Sequence, residues 1–140
     1  MSNPGPSVTQ TNHPTNLATN QALRLIASAQ GVNLNAVADT VATVLVNGSV
    51  VAASVLVSNA SVSLSTAQLA VWTGPAGTGT AVKTAYALSG NTTSAKAIVT
   101  GATSTDAITG TPLYIRCAVA QGSAATADVF IYGYDLTFLP

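Results

Sequence analysis

The stretch that most constrains the fold of this chain is residues 113–136, LYIRCAVAQGSAATADVFIYGYDL. Its first half places Leu113, Ile115, Cys117 and Val119 on one face of an extended chain, with Tyr114 and Arg116 on the other. Its second half sets Phe130, Tyr132 and Tyr134 opposite Val129 and Ile131. Such period-2 alternation of β-branched and aromatic residues is typical of strands.

A small, polar segment, residues 121–126, joins the two halves, and its Gly122 permits a turn. We therefore predict a β-hairpin. Four of the seven aromatic side chains of the chain lie in it. Because the remaining sequence is mostly Ala, Val, Thr and Ser, we expect this hairpin to supply the bulkiest part of the core.

The charge content of the chain is low. Of its 140 residues, enough for one domain, 48% are hydrophobic and the charges sum to zero. Only 6% are charged, against roughly 25% in an average soluble protein. A free monomer of this kind has little electrostatic repulsion to prevent association. We therefore expect the protein to be part of a larger assembly. Its few scattered basic residues cannot form the basic stripe that nucleic acid requires, which predicts no nucleic-acid partner.

Residues 41–57 form a Val-rich run whose length approaches a membrane span, but Asn47 and Gly48 interrupt it. Asn-Gly between two apolar runs is a strong hairpin signal, so we predict two strands, residues 40–46 and 50–58, and no membrane partner. Because the run is apolar on both faces, we expect the strands to be covered on both sides.

Residues 17–30 fit two kinds of element. Asn20 could cap a helix in which Ala22, Leu23, Ile26 and Ala27 follow helical spacing. Leu23 and Leu25, with Arg24 between them, also fit a strand. We favour the strand because the rest of the chain is strongly β, and we expect Gly31 to end the element.

Further strands are predicted at residues 68–73, 80–88 and 96–100. A turn at 74–79 separates the first two, and residues 90–94 and 101–112 are predicted to be loops. Strands separated by regular turn signals indicate an antiparallel β-sandwich. The predicted fold is all-β, one sandwich of about seven to nine strands over residues 17–140, of jelly-roll or immunoglobulin-like type.

The first sixteen residues are mostly polar and include several prolines, so they cannot form a core of their own. They are either a disordered tail or an extended N-terminal arm that orders against a neighbouring subunit. No secretory signal opens the chain, so we expect synthesis in a cytoplasm. The candidate assembly contacts are residues of this arm and of the apolar C-terminal end: Pro4, Pro6, His13, Pro14, Phe138, Leu139 and Pro140.

Patterns that carry catalytic or metal chemistry are missing from the sequence. The glycine-rich loop at 74–80 has Thr80 where a phosphate-binding loop needs Lys. A Ser-His-Asp triad would have to use His13, and that lone His has no nearby metal-ligating residue. No Asp lies within three residues of another. We therefore predict a non-enzyme without cofactor or metal.

The single cysteine, Cys117, excludes an internal disulfide. Its position on the apolar face of a predicted strand indicates a small buried hydrophobe. An intersubunit disulfide or a reactive thiol is the alternative.

The C-terminal stretch resembles that of small structural proteins from the particles of tailed bacteriophages. The similarity lies in Leu113-Tyr114-Ile115-Arg116, in residues 120–129 (AQGSAATADV), and in Phe130-Ile131-Tyr132-Gly133. Residues 31–34, 38–40, 57–61, 66–68 and 72–74 are similar to the same group. The apolar end after residue 133 departs from the group, whose proteins end in a polar, acidic segment.

This resemblance implies a non-enzymatic virion component on the capsid exterior, a decoration or cement protein made in the host cytoplasm. The partners it implies are the major capsid protein and copies of the chain itself, with a trimer as first choice and a dimer as second. Low charge predicts contacts that are nearly insensitive to salt.

A tail fibre or spike module that binds a host receptor or glycan is the alternative function. A sugar site needs exposed aromatic rings beside clustered Asp, Asn or Arg, and no such cluster is visible outside the predicted hairpin. The sequence therefore favours the decoration protein. A subunit of a host cell-surface adhesin is a third option, which the missing signal peptide disfavours.

Overall fold

The computed structural model of the protein describes residues 23–91, 97–109 and 111–137. Within these residues the chain forms ten strands and one 3-10 turn, Pro75–Gly77. The strands are β1 (Leu23–Asn33), β2 (Asp39–Val41), β3 (Thr43–Val44), β4 (Ser49–Ser58), β5 (Gln68–Trp72), β6 (Ala81–Ala87), β7 (Ile98–Gly101), β8 (Ile108–Thr109), β9 (Tyr114–Val119) and β10 (Thr126–Asp135). The predicted all-β class is confirmed. The two-residue strands β3 and β8 carry no sequence pattern of their own.

The strands form two antiparallel sheets. One is six-stranded, in the order β3-β1-β10-β4-β7 with β8 also on β4, and the other is four-stranded, in the order β2-β9-β5-β6. Apolar side chains between the sheets form one core, in which the largest fully buried ones are Leu, Ile and Val. No aromatic side chain of the described residues belongs to the buried set; Tyr86 packs against the cluster.

The predicted hairpin at 113–136 is wrong. Strand β9 lies in the four-stranded sheet between β2 and β5, and β10 lies in the six-stranded sheet between β1 and β4. The joining segment crosses from one sheet to the other, held by backbone hydrogen bonds from Leu34 N–H to Ala125 and from Gln121 N–H to Leu34. Alternation is the same in a hairpin and in such a crossing, so the sequence pattern alone cannot separate them.

The alternation itself is confirmed within this stretch, although its expected role is not. Ile115, Cys117, Val129 and Ile131 are fully buried. The rings of β10 lie on the opposite face, outside the sandwich, so the expectation that they fill the core is wrong. Packed sheets lie roughly 10 Å apart, and the interdigitating Leu, Ile and Val side chains already occupy that space.

The predicted hairpin at Asn47-Gly48 is also wrong, because the segment before it changes sheet. Strand β2 pairs with β9 in one sheet and β3 pairs with β1 in the other. Strand β4 pairs with β10, β7 and β8, all of them distant in sequence. β4 itself agrees with the predicted strand at 50–58. Alternate residues are buried and its other side is partly exposed, so the expectation that this strand is covered on both sides is wrong.

Strand β1 confirms the strand at the end of 17–30, and residues 17–22 lie outside the described part. Gly31 does not end the element: with φ of 62° it forms a bulge between Ala29 and Val32, and β1 continues to Asn33. Strands β5 and β6 form the predicted pair around the turn at 74–79. Strand β7 spans Ile98–Gly101, where a strand at 96–100 was predicted, and the connection that follows includes β8.

Gly133 lies where β10 and β4 approach each other most closely, at a shift of their register. A Cβ atom on Gly133 would lie 2.2 Å from the carbonyl oxygen of Val51 and 3.0 Å from Cα of Ala52. Both are backbone atoms of a strand hydrogen-bonded on both sides, so they cannot move aside cheaply.

We predict that Gly133→Ala lowers the free energy of unfolding by about 2 kcal/mol or more, in the range of an overpacked core. Chemical denaturation followed by circular dichroism measures it. Gly101→Ala on β7 of the same sheet is the matched control, since a Cβ there meets nothing within 4 Å, and it should change stability by less than about 0.5 kcal/mol. Equal effects of the two substitutions would contradict the close approach.

Candidate interaction surface

The outer side of the six-stranded sheet carries the aromatic side chains of β10. Along this strand Ala127, Val129 and Ile131 are buried, so the intervening side chains point away from the core. Phe130, Tyr132 and Tyr134 therefore lie in a row on the outside. Because β10 is paired on both edges, this row runs through the middle of the sheet.

The neighbouring strands extend this row into an apolar surface. Leu23 of β1 and Val51 of β4 lie beside Tyr134, Leu25 lies beside Tyr132, and Leu56 lies beside Phe130, with Val99 of β7 next in line. We call these eight residues the aromatic face: Leu23, Leu25, Val51, Leu56, Val99, Phe130, Tyr132 and Tyr134. Ser28 and Ser54 contribute hydroxyls within it.

Much of the aromatic face is open to solvent. Leu23 is 53% exposed, Val99 64% and Tyr134 42%, and the other members are partly exposed. In an antiparallel sheet with one side in water, that side is ordinarily polar. A contiguous exposed apolar surface of this kind marks a site of contact with another molecule.

Charge is nearly absent from this surface. Asp128 lies at one end of the row, where its carboxylate accepts hydrogen bonds from the backbone N–H of Gly31, at 2.8 Å, and from the side chain of Asn59, at 2.9 Å. These bonds fix the carboxylate at the end of β10, beside the bulge in β1. The aromatic face is thus suited to a partner surface that is itself apolar.

A second cluster lies on the outer side of the four-stranded sheet. Trp72 of β5 and Tyr114 of β9 are neighbours there, both partly exposed, with Val41 of β2 beyond Tyr114. One row further along, Arg116 donates to the carboxylate of Asp39 at 2.9 Å. The fold thus brings together aromatic rings, an Arg and an Asp that lie far apart in the sequence.

Asp39 also accepts a hydrogen bond from the backbone N–H of Ala76 in the turn between β5 and β6. Burial raises the pKa of Asp39, but the hydrogen bonds from Ala76 and Arg116 and the charge of Arg116 outweigh it, so the pKa lies below its usual value. The pair therefore fastens this turn to β2 and β9.

A cleft of about 340 Å³ opens at the end of the sandwich where β10 finishes. Its walls include the ion pair between Arg24 and Asp135, whose charged atoms are 2.7 Å apart. Asp135 is buried, and hydrogen bonds from Thr137 together with the charge of Arg24 hold its pKa below the usual value against the opposing effect of burial. The charged groups of the cleft, Arg24 and Asp135, are thus engaged with each other.

The sequence-predicted assembly contacts Pro4, Pro6, His13, Pro14, Phe138, Leu139 and Pro140 all lie outside the described residues. The chain enters the described part at Leu23, on the border of the aromatic face, and leaves it at Thr137, beside the cleft. Both predicted contact segments therefore join the sandwich at the same end of the six-stranded sheet, because Leu23 is the partner of Tyr134.

Cys117 is fully buried and free, as the interpretation of a small buried hydrophobe predicts. Its Sγ atom lies 3.4 Å from the carbonyl oxygen of Val119, and burial raises the pKa of the thiol. Both effects keep the sulfur in the unreactive thiol form.

Among residues 23–91, 97–109 and 111–137, no three His, Cys, Asp or Glu side chains are grouped as a metal site would require. The same residues include no helix long and apolar enough to cross a membrane. Comparisons with protein-family models, with curated proteins and with solved structures find no match to this chain.

The sequence reasoning missed the aromatic face although its signal was present. The rings of β10 were placed opposite Val129 and Ile131, and one of the two faces had to be the outer one. The bulk of the rings favours burial from the sequence alone, whereas the structure places them on the outer face. The second cluster was missed because nothing local connects Trp72 or Asp39 with β9.

The two ion pairs predict how stability depends on pH. Asp39 and Asp135 have lowered pKa values in the folded chain, so each contributes stability that is present above its unfolded pKa of about 3.9 and is lost as the pH falls further. We expect the free energy of unfolding to decline below about pH 5, and Asp39→Asn/Asp135→Asn to be less stable at pH 7 with a flatter acid limb.

Urea unfolding at a series of pH values measures this dependence. Asp106→Asn is the control, because Asp106 is exposed in the connection before β8, and its curve should follow that of the unaltered chain. An acid limb that keeps its slope in the double variant would contradict the assignment.

Proposed function

We propose that this chain is a non-enzymatic structural protein of a bacteriophage particle, acting as a decoration or cement protein on the outside of the head shell. The aromatic face carries the proposal, because an extended, uncharged apolar surface serves a lasting contact between proteins. The phage assignment is supported by the resemblance of residues 113–133 to small virion proteins.

Most charged side chains of the described residues have roles in holding the fold, with Asp106 as an exception. Arg24 pairs with Asp135 and Arg116 with Asp39, each pair connecting elements distant in sequence. Lys83 lies 5.5 Å from the centre of the Tyr86 ring. Ionic groups committed to loops and strand ends are what a structural protein requires, and they support a function through contact surfaces.

The partners in this proposal are the major capsid protein and further copies of the chain, on the exterior of a virion assembled in the host cytoplasm. The arm, residues 1–16, and the end, residues 138–140, are the proposed attachment segments. A proline-bearing arm loses less entropy on docking than a flexible one, which suits a segment that reaches a neighbouring subunit.

We predict that the purified chain co-sediments with empty head shells of the phage that carries its gene, and that deleting residues 1–16 weakens this binding by about tenfold or more, equal to ~1.4 kcal/mol. The deletion should leave the circular dichroism spectrum and the unfolding midpoint unchanged. Equal binding by the truncated chain would remove the arm from the proposal. If the full chain does not bind shells at all, the proposed function is wrong.

The second candidate function, a tail fibre or spike module that binds a receptor or glycan, is favoured by one observation. The cluster of Trp72, Tyr114, Arg116 and Asp39 combines rings on which a sugar could stack with polar groups that could bind its hydroxyls. Since Arg116 and Asp39 already bind each other, the cluster has a structural role without any ligand.

The chain contains one tryptophan, so its fluorescence reports directly on this cluster. The second function predicts that polysaccharide fragments from a host surface change the emission of Trp72 in a saturable way and that Tyr114→Ala abolishes the change. If the chain is a decoration protein, we expect no saturable change in Trp72 emission with any such fragment.

A further inference from the structure

We propose that the partner seated on the aromatic face is a second copy of this chain, packed sheet against sheet and running antiparallel across a two-fold axis. This inference rests on the proposed function, because it names the partner of the same surface.

The outer side of the six-stranded sheet, which includes the aromatic face, reaches the area of a small stable interface. Strands β1, β10, β4 and β7 lie side by side at roughly 4.8 Å spacing, with ten residues in β10 at roughly 3.4 Å each and four in β7. This side of the sheet therefore measures at most about 34 Å by 19 Å, or about 600 Å² before the relief of the side chains is counted. The smallest stable interfaces bury about 600 Å² on each partner.

The sequence outside the described residues offers few large apolar side chains for covering this surface, and residues 92–96 (TTSAK) contain none. Residues 1–22 contain Met1, Val8 and Leu17 as their large apolar side chains and no aromatic ring. Residues 138–140 include Phe138 and Leu139 but reach only about 10 Å when extended. A second copy, in contrast, offers an apolar surface of the same size and flatness.

Two arrangements bring two copies of a flat sheet face to face. A two-fold axis parallel to β10, in the plane between the two sheets, places the Asp128 carboxylates of the two copies together, where like charges repel in an apolar interface. A two-fold axis perpendicular to β10 in the same plane places Asp128 of each copy beside Tyr134 of the other. Each carboxylate oxygen of Asp128 has one hydrogen bond from its own chain and retains a lone pair for the tyrosine hydroxyl.

The antiparallel arrangement also pairs the rings. With the axis between Phe130 and Tyr132, each Phe130 meets the Tyr132 of the other copy, and such pairs contribute beyond their buried area. Flat sheets that pack in this way lie about 10 Å apart with strands roughly 30° from alignment. The contact is isologous and closes on itself, so it produces a dimer and stops. This geometry predicts a dimer, where the resemblance implies a trimer as first choice.

Sedimentation velocity of the full-length chain tests the proposal. At about 10 µM, we expect an interface of this size to keep the two copies associated. The expected species has twice the 13.9 kDa mass of one chain, equally at low and high salt, because the contact is apolar. Tyr132→Ser should raise the dissociation constant by at least about thirtyfold. Tyr114→Ser, a partly exposed tyrosine on the outer side of the other sheet, is the matched control and should remain dimeric.

Cross-linking with a short bifunctional thiol reagent tests the orientation, because facing Cα atoms of sheets about 10 Å apart are too distant for a direct disulfide. The reagent should cross-link Asp128→Cys/Tyr134→Cys as a dimer, and neither single variant should be cross-linked. Cross-linking of Asp128→Cys with itself would overturn the antiparallel arrangement. Cys117 does not interfere, because it is fully buried.

The outcomes separate this inference from the proposed function. A dimer that does not bind head shells supports the inference and removes the function. A monomer or trimer that does bind shells overturns the inference and leaves the function. A full-length monomer that dimerises only after residues 1–22 are deleted would show that the arm covers the face, which also overturns the inference.

Discussion

The structure depends on the position of β10, which is hydrogen-bonded along both edges to strands distant in sequence. A slip of one residue in either register would exchange its buried and exposed side chains. The close approach at Gly133 and the register shifts on both sides of β10 fix that register. Once it is fixed, Val129 and Ile131 must enter the core, and the three rings between and beyond them must leave it.

This register of β10 reverses the usual distribution of large side chains between core and surface. Leu, Ile, Val and Ala fill the space between the sheets, and the described rings other than Tyr86 lie on the outer sides of both. Several of the few charged groups fasten turns and strand ends, as Asp39 does for the turn at Ala76. The outer surface that the six-stranded sheet offers to other molecules is therefore largely apolar.

Local patterns in the sequence predicted the strands far better than their partners. β5, β6 and the turn between them form a pair of neighbours along the chain, and their pattern was sufficient. The crossings at 39–44 and 120–125 could not be predicted, because a strand alternates in the same way whichever sheet it joins. Asn47-Gly48 failed as a hairpin because the partners of β4 are strands formed much later in the chain. The outer position of Phe130 and Tyr132 was within reach of the alternation, and only the assumption that bulk means burial concealed it.

Hydroxyl-radical footprinting read by mass spectrometry tests most directly whether the aromatic face is a covered contact surface. Trp72 and Tyr114 are partly exposed rings on the other sheet and serve as internal references. We predict that Phe130, Tyr132 and Tyr134 are modified more slowly than these references in the concentrated protein, and that the protection fades on dilution. Modification of all five rings at comparable rates at every concentration would contradict it.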